Sequence, residues 1–517
     1  YLSDESRLQG QAARIFFPRS EEEIVAVMRA ASAAHTPLTI SGGRTGIVGG
    51  AVPQGGWLLS LEKMDRVLGL RRAPDGAGFL LRCQPGVTLE SLDRALAQKS
   101  FADTDHWSAE DQAALAEFKS GAAWMFPPDP TEHTATLGGM AAANASGART
   151  LFYGSMRHYV MRLRIVLAAG SVIDLRRGQC QADAQGHFQL HLPSEPPRSG
   201  RVPLYVLPPI KNAAGYFAQP AMDLLDLFIG AEGTLGVFSE LEVLLIPAPE
   251  TILGVVGFFS TELDAQTFVV RARQAPSSGA QAPLPSRPLA LEYFDGHALD
   301  LLREQKELAG PDAPIPALPP EARAAVYIEL ASTAEAQLEG AEALLELLEA
   351  SGSSADTAWS ATSPVEIERL KAFRHALPEA INRLIGARAL ACPGLTKLGT
   401  DFAVPDEALA PLMEAYREIM TEAQLEYVIF GHIGNNHLHL NILPRNLAEY
   451  QRGKKIYQDL ARRVLEWGGT VSAEHGIGKL KKPLLELMLG ASGLEAMRLV
   501  KKVFDPETLL NPGNIFD

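Results

Sequence analysis

Three glycine-rich stretches constrain this chain more than any other feature: SGGRTGIVGG at 41–50, TLGGMAAANASGA at 136–148 and GAEGTLG at 230–236. Each sits among short apolar runs. A β-type run from Leu38 to Ile40 enters the first; LRIVLAAGSVIDL, after the second, alternates like a hairpin; the third lies inside DLLDLFIGAEGTLGVFSELEVLLIP (223–247), which reads as helix, glycine turn, strand. Glycine supplies positive φ and lets backbone N–H groups approach a ligand closely, and successive N–H groups form an anion-binding nest. The first stretch matches neither G-x-x-x-x-G-K-[ST] nor G-x-G-x-x-G, so it is predicted to be neither a P-loop nor a Rossmann turn. A single loop of this kind serves as a plain turn between strands; three of them point to an extended, phosphate-bearing cofactor.

The remaining pattern predicts an α+β protein. Residues 21–34, EEEIVAVMRAASAA, carry apolar positions at helical spacing behind an acidic first turn, which suits the helix dipole. GFLLRCQPGVTLESLDRAL, 78–96, reads as strand, Pro-Gly turn and helix, with Thr88 as N-cap. Residues 102–125, polar with two tryptophans, read as an insertion. Beyond Pro247 the texture changes: strand-like runs (GVVGFFS, LALEYF, AAVYIELA) alternate with long Ala/Glu/Leu helices, which indicates an antiparallel sheet covered by helices, interrupted by a Pro-rich loop at 310–320. The 517 residues are thus divided into 1–248, 249–470 and a C-terminal segment 471–517.

The totals exclude several classes. A formal charge of −14 argues against nucleic acid as partner, because phosphate binding needs a basic footprint, while leaving room for a local basic pocket. Cys83, Cys180 and Cys392 share no close spacing, which fits a reducing compartment and excludes a self-contained iron–sulfur cluster. No apolar run reaches the ~18–20 residues of a membrane span. The N-terminus, YLSDESRLQG, lacks an initiator Met and a signal-peptide pattern and reads as trimmed. The expectation is a cytoplasmic protein, or one held peripherally at the inner membrane, with no transmembrane segment.

PLTISGGRTGIVGG, PPDPTE followed by ATLGGMAAANASGARTLFYGS, and FIGAEGTLGVFSE occur in that order. Together they resemble the FAD-binding domain of the vanillyl-alcohol-oxidase type, also called the p-cresol methylhydroxylase (PCMH) fold. The later SAEHGIGK and LLNPGN resemble the C-terminal part of the FAD-linked 2-hydroxyacid dehydrogenases, the group of D-lactate dehydrogenase, D-2-hydroxyglutarate dehydrogenase and the glycolate oxidase flavoprotein subunit. The resemblance spans about residues 14 to 516. It implies a PCMH-type FAD-binding domain of two α+β subdomains, a cap domain that binds substrate, and a C-terminal segment returning to the flavin. It further implies that Ser41, Gly42, Gly43, Arg44, Thr45 and Gly46 hold the pyrophosphate through backbone N–H groups. Pro127, Thr136, Gly138, Gly139, Asn144 and Gly147 would line the flavin and ribityl chain; Glu232, Gly233 and Val237 would hold the adenine side. No histidine lies in the first glycine loop, and His35 precedes the strand, so the FAD is expected to be non-covalent.

GHIGNNHLHLN, 431–441, holds three of the chain's twelve histidines. It reads as a polar loop, as a strand of hydrogen-bonded histidines, or as a metal site. HLHLN alternates, so His437, His439 and Asn441 share one strand face, and His432 can fold back across a Gly-Asn-Asn turn. A carboxylate is wanted as a further ligand, and Glu474 is the candidate. The resemblance selects the metal reading: motifs similar to GH-x-G-x-x-x-LHLN and SAEHG carry a divalent metal in the family, which implies His432, His439 and Glu474 as ligands of Zn²⁺, Fe²⁺, Mn²⁺ or Co²⁺ and His475 as catalytic base. Many relatives have Gly-Asp-Gly-Asn where this chain has Gly434-Asn435-Asn436-His437, so the role of His437 stays open.

The implied reaction is oxidation of a D-2-hydroxyacid, D-lactate foremost, to the 2-oxoacid. A metal chelated by the substrate's hydroxyl and carboxylate acidifies the hydroxyl, a histidine takes the proton, and the hydride passes to flavin. Arg374, in KAFRHALPEAINRL, matches a substrate-binding arginine of the family; Lys397, in GLTKLGTDFAVP, and Asn441 are further substrate contacts. Tyr216 is read as a buried ring. Electrons would leave to an electron-transfer flavoprotein, an iron–sulfur subunit, a cytochrome or a quinone, with direct reaction with O₂ as the alternative. D-2-hydroxyglutarate and glycolate are the alternative substrates; a flavin-using, non-redox transferase similar to alkylglycerone-phosphate synthase and a non-enzymatic flavoprotein subunit are the competing classes.

Overall fold

The computed structural model describes residues 1–192, 195–274, 283–310 and 315–517; residues 311–314 of the Pro-rich loop lie outside that description. The chain divides into two compact units. The first comprises 1–147, 154–248 and 472–517; the second comprises 148–153 and 249–471.

The first unit holds two main sheets. In the smaller, Trp57–Ser60 lies between Arg14–Phe16 and Leu38–Ser41, all parallel. In the larger, the order is Val67–Arg72, Phe79–Cys83, Val237–Pro247, Val160–Val166 and Val172–Arg176, with Trp124–Met125 also paired to Val237–Pro247. The last two strands of that order form the expected hairpin, in register from Arg162 opposite Arg176 to Val166 opposite Val172. Helix Glu21–Ala33 starts at Ser20, whose hydroxyl caps Glu23 N–H, and buries Ile24, Met28 and Ala31, three to four residues apart. They join Leu38, Leu59, Met64, Val166, Val237 and Leu510 in one core cluster. Thr88 caps helix Leu89–Ala97 as expected, accepting from Ser91 N–H at 3.2 Å. Within 102–125, helix Ala109–Ser120 buries Ala114, Leu115 and Phe118, and the Phe118 ring stands edge-on to Phe79 at 5.5 Å.

The second unit is an antiparallel sheet of eight strands. Its path runs Trp359–Ala361, Thr251–Phe259, Ala324–Ser332, Ala290–Asp295, Tyr427–Gly431, His437–Ile442 and Leu398–Gly399; Phe402–Ala403 also pairs with His437–Ile442. Helix Pro364–Ala391 packs Phe373, Leu377 and Ile381 into a cluster with Val256, Phe294, Leu299, Leu302 and Tyr327. Its start is set by a capping box, Ser363 with Glu366, and by Pro364 in the first turn. The structure is α+β, and no helix among the described residues is long and apolar enough to cross a membrane.

Candidate active site

The histidine-rich stretch is a β-hairpin of the second unit. Tyr427–Gly431 pairs with His437–Ile442, Phe430 opposite His439 and Val428 opposite Asn441. Between the strands, Ile433–Asn435 forms one 3₁₀ turn and Asn436 takes a left-handed conformation at φ 52°. Asn436 locks the tip: its Oδ1 accepts from Arg273 Nη1 at 2.7 Å, its Nδ2 donates to Asp406 Oδ1 at 2.7 Å, and Arg273 pairs with Asp406. Gly431 sits at φ 127°, where a Cβ would come within 2.9 Å of the His439 ring, so a glycine is needed for that ring to lie where it does.

Three rings converge there. Centroids of His437 and His439 are 4.4 Å apart, and that of His432 is 5.2 Å and 5.9 Å from them. One ring nitrogen from each histidine lies within 4.8 Å of the others. Each ring is also held from behind by an oxygen. His432 Nδ1 is 2.6 Å from Glu292 Oε1, His437 Nε2 is 2.8 Å from Asp401 Oδ1, and His439 Nδ1 is 2.9 Å from the Thr400 carbonyl. A carbonyl only accepts, so His439 donates from Nδ1 and its lone pair is on Nε2.

Glu292 links this cluster to Arg374. It is 3% exposed on strand Ala290–Asp295, with Oε1 on His432 and Oε2 accepting from Arg374 Nε at 2.9 Å. A second buried pair lies on the neighbouring strand: Arg149 Nε donates to Glu329 Oε2 at 2.6 Å and Tyr327 OH to Glu329 Oε1 at 2.5 Å. Burial alone would raise the Glu329 pKa, but the Arg149 charge and hydrogen bond outweigh it and hold the carboxyl below its usual range. Arg149 belongs to 148–153, the short stretch that joins the second unit, where Leu151 packs over Gly434. Lys397 Nζ donates to Asn382 Oδ1 at 3.0 Å, and Asn441 is buried on the hairpin strand beside Gly399.

In the first unit the glycine loops pack on one another. A Cβ on Gly42 would collide with Thr136 Oγ1, and one on Gly43 would come within 2.7 Å of the Thr134 carbonyl. Thr136 caps the short helix Leu137–Ala143, and Asn144 ends it at φ 48° with Oδ1 accepting from Arg157 N–H at 3.0 Å. Gly138 is pressed against Pro85 and Gly147 against the Asp129 carbonyl, while no atom lies within 4 Å of the Cβ position of Gly46. Pro127 is buried at the edge of the same stretch, and Thr45 is half-buried after Arg44, whose φ is 60°. The Arg44 side chain turns to the Tyr1 ring, 4.5 Å from its centroid, and to Glu62. Ser41 Oγ is buried and has no hydrogen-bond partner.

Glu232, expected on the adenine side, ties two distant segments of the first unit together. Its carboxylate accepts from Ile477 N–H and Gly478 N–H, both at 2.7 Å, and its carbonyl from Asn511 Nδ2 at 2.6 Å. Both oxygens are therefore engaged in holding the SAEHGIGK segment. Burial pushes its pKa up to about 7, against the lowering effect of those two N–H groups. Gly233, at φ 71°, packs on Asn511, and Val237 begins the long strand fully buried. In the held segment His475 is at φ 66°, and Glu474 Oε1 lies 2.8 Å from Ser146 Oγ and 2.5 Å from Lys211 Nζ. Tyr216 is buried, as read from the sequence, with its hydroxyl 2.6 Å from Thr234 Oγ1.

Sequence reading missed Glu292, Glu329, Asp401 and Arg149. Glu292 and Glu329 did carry a signal: each is the one acid in an apolar strand run, LALEYF and AAVYIELA, and a charge in such a place must be paired.

Comparison with known proteins bears on this arrangement. Residues 12–113 and 107–176 match the model of an FAD binding domain, and 259–515 match that of the FAD-linked oxidase C-terminal domain. The chain belongs to the FAD-linked oxidases. It is 29% identical over 506 residues to the glycolate oxidase subunit GlcD of Bacillus subtilis, covering 97% of this chain and 88% of that one. It is 29% identical to a D-lactate dehydrogenase of Anaerostipes hadrus over 100% of this chain and 92% of the relative. A D-2-hydroxyglutarate dehydrogenase of Xanthomonas citri is 28% identical over 97% and 89%. Among solved structures, an alkyldihydroxyacetonephosphate synthase superimposes with a TM-score of 0.60 at 16% identity, over 96% of this chain and 75% of that one, a likeness of fold.

The residues present can be tested against FAD, which the matched domains imply, and against the divalent metal that the sequence resemblance implies. For FAD, the open backbone at Gly46 and the buried, unpartnered Ser41 hydroxyl offer donors at the end of a strand. For a divalent metal, three imidazoles each oriented by an oxygen acceptor are the usual outer support of metal-binding histidines.

Proposed function

We propose that this FAD-linked oxidase oxidises a D-2-hydroxyacid to the 2-oxoacid, with D-lactate as first candidate and D-2-hydroxyglutarate and glycolate as alternatives. The observation that carries the reading is the cluster of His432, His437 and His439, backed by Glu292, Asp401 and the Thr400 carbonyl. In this reading His432 and His439, with Glu474, hold a divalent metal ion, which when bound acts as a Lewis acid toward the substrate's oxygens. FAD, held without a covalent bond by the glycine loops, supplies the hydride-accepting chemistry.

The chain's own groups then have defined tasks. His475 takes the proton of the substrate hydroxyl, for which an imidazole is suited near neutral pH. Arg374 clamps the carboxylate, its guanidinium set in place by the bond to Glu292. Lys397 and Asn441 complete the substrate contacts. Electrons pass onward to a separate acceptor: an electron-transfer flavoprotein, an iron–sulfur subunit, a cytochrome or a quinone.

The test is an anaerobic flavin spectrum with D-lactate, D-2-hydroxyglutarate and glycolate added in turn, beside elemental analysis of the purified protein. Bleaching by one acid, with stoichiometric metal, is expected. Flavin that stays oxidised with all three, in a protein without metal, refutes the reading and favours non-redox flavin chemistry.

A further inference from the structure

We infer that His437 is itself a metal ligand, so that the hairpin presents three imidazoles to the ion; the inference rests on the metal reading above. Three observations carry it. His437 lies two residues from His439 on one strand, and alternation puts both rings on the same face, 4.4 Å apart. Its candidate ligand atom lies within 4.8 Å of those of His432 and His439. Nitrogens sharing one ion at ~2.0–2.1 Å stand roughly 3–4 Å apart, so each ring need move by only about 1 Å or less.

The third observation is the way the ring is held. Asp401 Oδ1 takes the Nε2 side of His437 as Glu292 takes the Nδ1 side of His432 and the Thr400 carbonyl that of His439. A carboxylate accepting at Nε2 places the proton there and the lone pair on Nδ1. The same outer support thus occurs three times, once per ring, and a two-histidine site accounts for only two of them. His437 is completely buried, which also removes a solvated surface histidine as explanation. A face of three nitrogens favours Zn²⁺, Co²⁺ or Fe²⁺ over Mn²⁺ and Mg²⁺, which prefer oxygen-rich sites.

The test uses the holoenzyme and its His437→Asn variant. Zn²⁺ and Mn²⁺ affinities are measured by competition with a chromophoric chelator, and the ligand field is read from the visible spectrum of the Co²⁺ form. The variant should lose at least about tenfold in Zn²⁺ affinity, with a smaller change for Mn²⁺ and an altered Co²⁺ spectrum. X-ray absorption on the wild-type Zn²⁺ form, which does not depend on the variant folding, should count three imidazoles. Two imidazoles, or equal Zn²⁺ affinity and an unchanged Co²⁺ spectrum in the variant, overturns the inference alone. A wild-type protein that takes up no stoichiometric metal overturns both the inference and the metal reading.

Discussion

Replacing Glu292 with Gln tests the logic of the second unit most directly. The carboxylate is 3% exposed and bonds Arg374 through one oxygen and His432 through the other. Glutamine keeps the shape and one acceptor but removes the charge. Arg374 then faces an amide in place of an anion, and an amide nitrogen turned toward His432 asks its Nδ1 to accept. Breaking a buried ion pair from one side costs ~3–5 kcal/mol. Because one acceptor survives, about 3 kcal/mol is expected, read as a lower urea midpoint of the metal-free protein. Loss of the group that orients His432 should separately weaken metal binding by ~10–100-fold. A double variant, Glu292→Gln with Arg374→Met, should recover part of the stability loss, since no charge is left unmatched. A single variant that unfolds within about 0.5 kcal/mol of wild type would show that the Arg374–Glu292–His432 chain is not coupled as described.

Other substitutions probe the remaining features. Arg149→Met leaves Glu329 buried without its cation; thermal unfolding should register a loss of ~3 kcal/mol or more, and a change under ~1 kcal/mol speaks against the pair. Gly42→Ala drives a methyl group into Thr136 Oγ1, so the protein should purify with less flavin per chain than wild type, as absorbance will report. Burial pushes the Glu232 pKa up to about 7 from the usual value of about 4.5. The native state therefore keeps a proton that the unfolded state has lost, and stability falls as pH rises from about 4.5 to about 7, with a limit of roughly 3.4 kcal/mol. Glu232→Gln should flatten that slope in urea titrations at a series of pH values; an unaltered slope assigns it to other groups.

How much of this could be read in advance depends on the range of the interaction. The helical periodicity of 21–34, the Thr88 cap and the 160–176 hairpin are local patterns, and the structure contains all three. Alternation in HLHLN likewise announces that His437 and His439 share a face, and their rings do meet. Glu232 shows the limit. The family resemblance implied a cofactor contact for it; that its carboxylate also meets Ile477 and Gly478, more than two hundred residues away, is a contact no local pattern carries. Arg149 was hidden for the same reason: it follows the second glycine stretch, yet its partner, Glu329, lies on a distant strand. Arg374 had a match to a motif, whereas the acid beside it, Glu292, was marked only by being the one charge in LALEYF.

The interleaving of the two units has a consequence for synthesis. The strand Leu38–Ser41 is tied by backbone bonds to 509–511, with Leu38 N–H donating to the Leu509 carbonyl at 2.8 Å and Asn511 N–H to the Leu38 carbonyl at 2.9 Å. The carboxylate of Glu232 likewise waits for 477 and 478. A ribosome makes all of 249–471 between these partners, at ~5–20 residues per second. The nascent flavin-binding half therefore stands unfinished for many seconds, with a strand edge open and an acid awaiting its donors, while the inserted unit is complete before the last segment emerges. Premature termination soon after Val471 would leave a finished histidine hairpin attached to a half-built cofactor cradle.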